Sequence, residues 1–79
     1  MEINVIYQDN KHTYFEEQVK KIAESYNGIV LLDFERDPEG FGCLVKIPSK
    51  GQEDNFRRDV QHVANHLKLN ITFGGFVSL

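Results

Sequence analysis

The chain has 79 residues, 41% of them hydrophobic and 27% charged, with nine basic against twelve acidic side chains and a net charge of −3. That length is one domain, residues 1–79, burying only about 60% of the surface its unfolded form exposes. The balance excludes a disordered tail and opposes a binder of nucleic-acid phosphates. The longest apolar run, Ile29-Val30-Leu31-Leu32, falls far short of the roughly 20 residues a membrane-spanning helix needs.

In chain order, residues 2–7 are β-rich and alternate roughly, which predicts a first strand. Thr13 stands three before Glu16, a capping-box spacing that predicts the start of a first helix. Asn27-Gly28 supplies a left-handed stop for it. Residues 29–35 read as a second strand. Asp37-Pro38-Glu39-Gly40 reads as a turn, with proline presetting φ and glycine closing it at no steric cost. Residues 41–47 read as a third strand, ended by Pro48. Ser49 with Gln52 is a second capping-box candidate, followed by a helix from about 52 to 68. Asn70 to about 78 reads as a fourth strand.

The two helices carry the same apolar stripe. Phe15, Val19, Ile22, Ala23 and Tyr26 recur as Phe56, Val60, Val63, Ala64 and Leu67, each 41 positions later. Both stripes step i, i+4, i+7, i+8, i+11, one buried face of an α-helix. Val30 and Leu32 map onto Ile71 and Phe73 at the same offset. The expected fold is therefore α+β, a ferredoxin-like βαββαβ two-layer sandwich with a four-stranded antiparallel sheet and two helices on one face. In topology this plan resembles ACT regulatory domains, RRM modules and acylphosphatases.

Strict two-residue alternation assigns the sheet faces. Ile3, Val5 and Tyr7, then Val30, Leu32 and Phe34, then Phe41, Cys43, Val45 and Ile47, and finally Leu69, Ile71, Phe73, Val77 and Leu79 should face the helices. The opposite face should carry Ile6, Ile29, Leu31, Leu44 and Phe76 among Asn4, Lys46, Thr72, Asp33 and Glu35. Five large apolar groups on a nominally wet face are more than scattered exposure requires.

The chemical motifs are weak. His62 and His66 have the i, i+4 spacing of helical metal ligands, with Asp59 as a candidate third. The glutamate that zinc-protease chemistry needs after the first histidine is replaced by Val63, and both histidines lie off the apolar stripe. The expectation is that no metal or other cofactor is bound. Asp33, Glu35, Asp37 and Glu39 alternate, but the sixth and twelfth places of a calcium loop starting at Asp33 hold Pro38 and Leu44. Those acids read as an edge protected against aggregation, or as a rim that steers a basic partner. Residues 39–44 resemble the aromatic segment of an RRM third strand, with Glu39, Cys43 and Lys46 in the wrong places and the aromatic phase pointing inward. Cys43 is expected in the core. The loop after the first strand contains neither the arginine of an acylphosphatase nor the glycine of an ACT ligand cradle.

These features predict a non-enzymatic module acting stoichiometrically on a protein partner through the helix-free sheet face. Ile6, Ile29, Leu31, Leu44 and Phe76 would be the anchors, with Asp33 and Glu35 as the acidic rim. By analogy, small acidic modules of this kind suit inhibitor or antagonist roles of phage or plasmid type. The alternative is a self-associating, ACT-like regulatory domain holding a small ligand between the copies of a homodimer. Binding of RNA by an RRM-like module comes behind both. The single cysteine and the absence of a basic, apolar leader predict a cytoplasmic location with no membrane partner. In that setting the glycosylation sequon at Asn70-Ile71-Thr72 carries no meaning.

Overall fold

The computed structural model describes residues 2–7, 10–36 and 40–74. The order is β1 (Glu2–Tyr7), α1 (Thr13–Ser25), β2 (Ile29–Arg36), β3 (Gly40–Lys46), a 3₁₀ turn (Lys50–Gln52), α2 (Glu53–Leu67) and β4 (Ile71–Gly74). The strands form an open antiparallel sheet in the order β2-β3-β1-β4. β1 and β3 are the inner strands, and β2 and β4 are the edges. Gly40 opens β3 at φ 101°, a backbone only glycine adopts without strain. The turn residues before it, Asp37 to Glu39, lie outside the described residues, as do Phe76, Val77 and Leu79. The described part of the fourth strand ends at Gly74.

One core joins the helices to one sheet face. Ile3, Val5 and Tyr7 on β1 are fully buried, opposite Val45, Cys43 and Phe41 on β3. Against them pack Phe15, Val19 and Ala23 from α1 and Phe56, Val60 and Ala64 from α2, also fully buried. Ile22 and Tyr26 pack partly buried at the margin, and so do their equivalents Val63 and Leu67. The repeated stripe is thus buried to the same depth in both helices. Each fully buried large apolar side chain contributes about 1.5–3 kcal/mol, so this shared face is the main source of stability.

The repeat continues through the helix ends. At α1, the N–H of Asn27 donates to the carbonyl of Glu24 and that of Gly28 to Ala23. At α2, Lys68 donates to Asn65 and Leu69 to Ala64. Both are Schellman caps, again 41 positions apart. The left-handed position, φ 60° in each case, belongs to Asn27 and Lys68. Gly28 holds the next place because a Cβ there would come within 2.6 Å of the Lys46 carbonyl oxygen.

The helix starts differ from the expected capping boxes. α1 is capped by His12, whose Nδ1 accepts from the Phe15 N–H at 3.1 Å. Thr13 is the first helical residue, and the Glu16 carboxylate is taken by the Tyr7 hydroxyl. At the second helix Ser49 precedes the 3₁₀ turn and makes no side-chain cap bond, nor does Gln52. Glu53 and Asp54 instead place negative charge in the first turn of α2, where the helix dipole favours it.

Lys68 occupies a backbone region that costs an ordinary L-residue about 1–2 kcal/mol. Lys68→Gly should remove that strain at a smaller entropic cost and stabilise the fold by up to about 1 kcal/mol. Urea unfolding should show a higher midpoint at unchanged slope. An unchanged or lower midpoint would contradict the strain argument.

Candidate interaction site

β2 does not alternate simply. Val30 pairs with Val45 and Leu32 with Leu44, so Leu31 is the extra residue of a β-bulge. Beyond it Asp33 stands opposite Cys43, whose side chain lies in the core. The bulge therefore overturns the expected face of two candidate residues. Leu31 and Asp33 do not lie on the helix-free face. With Val30 they line a cleft of about 410 Å³ against Thr13, Glu16, Glu17 and Lys20 of α1.

The other candidates are scattered. Ile29 is 55% exposed and pairs with Lys46. Ile6 and Leu44 are half-buried on the outer face, where Asn4 between Leu44 and Gly74 is only 9% exposed. Glu35 pairs with Phe41 through its backbone; its side chain, like those of Leu32 and Phe34 and the whole of Phe76, lies outside the described residues. Among the described residues, the exposed large apolar groups are Tyr14, Ile29 and Leu31. Of the four described members of the expected outer-face patch, Ile29 is exposed, Ile6 and Leu44 are half-buried and Leu31 has left the face, so exposure among the described residues shifts to the β2 edge.

Two core groups, Tyr7 and Cys43, stand behind the cleft, each beside one of its carboxylates. The Tyr7 hydroxyl donates to Glu16 and accepts from the His12 N–H at 3.0 Å. The Tyr7 ring stacks on Phe41 at 5.6 Å and meets Phe15 edge-on at 5.3 Å. Burial, reinforced by the bond to Glu16, pushes the Tyr7 hydroxyl well above its ordinary range. Cys43 behaves likewise: burial first, then its hydrogen bond to the Asp33 carboxylate, hold its thiol protonated far above the usual thiol range. A neutral buried thiol is a packing group and a weak donor. The same geometry puts the aromatic of the RRM-like segment, Phe41, against Tyr7 on the helix-covered face.

The histidine pair lies elsewhere. His62 and His66 are exposed and line a groove of about 240 Å³ between the helices, with Tyr14 and Gln18 across from them. Asp59, the candidate third ligand, is engaged by the Tyr26 hydroxyl and lies 3.4 Å from Arg58. Among the described residues no group of three or more His, Cys, Asp or Glu side chains is placed to hold a metal ion. No helix among them is long and apolar enough to cross a membrane. The cleft residues on α1 escaped sequence reasoning as a site because Thr13 and Glu16 read as a capping box, while Glu17 and Lys20 form no motif and sit on a flank that periodicity marks only as polar. The chain matches no protein-family model, no curated protein and no solved structure.

The raised Cys43 pKa fixes the sign of an alkaline response. The folded state keeps the thiol proton above the ordinary value of 9.0, while the unfolded chain releases it there. The Cys43 contribution to stability is therefore fully present below pH 9.0 and is lost as pH rises beyond it. Urea unfolding across that range should show a falling midpoint, and Cys43→Ala, though less stable overall, should show a shallower fall between the thiol and tyrosine ranges. A thiol reagent should label the native protein slowly and the unfolded protein at once. Rapid native labelling would contradict the burial.

Proposed function

We propose that the chain is a non-enzymatic protein-interaction module on the ferredoxin-like βαββαβ plan, acting stoichiometrically and meeting its partner along the β2 side of the sheet. The plan is supported by the element order, by β1 and β3 at the centre, and by two helices sharing one core. The functional reading is carried by one observation. Ile29 and Leu31, 55% and 41% exposed, stand two residues apart on an edge strand. Single exposed apolar residues are ordinary; two on one open edge strand, Ile29 towards the helix-free face and Leu31 in the wall of the cleft, offer a partner both desolvation energy and a free strand. The one cysteine, buried and protonated, lacks the thiolate a nucleophile needs.

A second reading is an ACT-like domain that self-associates. The same free edge favours it, since β2 of one copy could pair with β2 of another. The bulge at Leu31 works against it by interrupting the regular edge that strand pairing uses.

Ile29→Glu and Leu31→Glu should leave the circular dichroism spectrum native and abolish partner capture. Light scattering behind size exclusion should give a monomer of 9.1 kDa at all concentrations. Capture that survives both substitutions would remove the β2 side as the site. A dimer that Ile29→Glu dissociates would establish self-association through β2 instead.

A further inference from the structure

We propose that the cleft between α1 and β2 receives a lysine or arginine side chain carried on a segment of the protein partner, a proposal that rests on the interaction-module reading above. The cleft combines two kinds of wall. Val30 and Leu31 give it an apolar side, and Glu16, Glu17 and Asp33 bring three carboxylates against the single ammonium of Lys20. A long cationic side chain has the matching division, an aliphatic stem with a charged head. Its stem would lie along Val30 and Leu31 while its head met the carboxylates through charge-assisted hydrogen bonds.

One of the carboxylates is already oriented. Glu16 is held by the Tyr7 hydroxyl. That bond uses part of the carboxylate's accepting capacity, which allows about four bonds, and leaves the rest for a guest. The donor, Tyr7, sits in the core, so the orientation is set before a partner arrives, and less conformational freedom is lost on binding. Anionic guests are opposed by the charge balance. A bare metal ion is opposed by the absence, among the described residues, of a ligand cluster able to hold one. The volume of about 410 Å³ and the exposed Leu31 in the wall on edge strand β2 suit a side chain still attached to a backbone that runs along β2.

The probe is N-acetyl-arginine amide, titrated into ¹⁵N-labelled protein, with the uncharged citrulline analogue as control. The expected result is saturable amide shifts confined to Glu16, Glu17, Lys20, Leu31 and Asp33, absent with citrulline. Glu17→Lys, at an exposed position that should leave the spectrum folded, should weaken the arginine response by about tenfold or more. Shifts that do not saturate, that spread equally to acids elsewhere such as Glu24 and Asp54, or that survive Glu17→Lys would overturn the cleft. Equal response to citrulline would also overturn it, by removing charge from the recognition. The two readings fail separately. A partner that is lost in Ile29→Glu but retained in Glu17→Lys overturns the cleft and leaves the interaction module standing.

Discussion

Tyr7 is the residue on which the rest of this small structure turns. It ends the central strand with a fully buried ring clamped between Phe15 of α1 and Phe41 of β3. A buried hydroxyl with no partner is costly, so the position is stable only if donors and acceptors are brought to it. Glu16 and the His12 N–H meet that demand. Both belong to the start of α1, so satisfying one hydroxyl fixes where the first helix begins and how it lies across the sheet. The helix start is then closed by His12 itself, through its ring nitrogen on the Phe15 N–H. Strand end, loop end and first helical turn form one linked unit, and it lies directly behind the cleft.

The helices and their seating were legible in the sequence, and the reason is physical. A stripe of large apolar residues at helical spacing has one way to be buried, and writing it twice required two helices against one sheet face. The strands β1 and β3 were legible too, because Asn4 between Ile3 and Val5, and Lys46 between Val45 and Ile47, mark their phase. β2 was not. Ile29-Val30-Leu31-Leu32 is apolar throughout, so an inserted residue leaves no mark on the pattern, and the phase beyond it was read one residue out. Asp33 was expected on the helix-free face for that reason alone. The acid then becomes part of the wall between β2 and α1, standing opposite the core residue Cys43.

The helix starts illustrate a different limit. A threonine three residues before a glutamate is compatible with a capping box, but the glutamate has other offers. Here the Tyr7 hydroxyl, nine residues away in sequence, takes the Glu16 carboxylate. The competition is decided by tertiary contact, which local spacing does not encode. The Schellman ends are the converse case. Asn27 announces its left-handed backbone through its residue type, whereas Lys68 does so only through the 41-residue offset that relates it to Asn27. A repeat therefore carries conformational information to a residue whose own preferences oppose it.

The bulge also bears on what kind of recognition β2 supports. A flat edge strand with exposed Ile29 would recruit any free strand, including that of a second copy. The extra residue at Leu31 breaks the even spacing of hydrogen-bonding groups and strengthens the local twist. At the same time it turns Leu31 and Asp33 towards α1, where Glu16 and Glu17 already stand. The same distortion that weakens indiscriminate backbone pairing thus forms one wall of the cleft proposed above to receive a cationic side chain. An edge of this construction trades main-chain affinity, which any strand can supply, for apolar and ionic contacts that only a matching sequence can make.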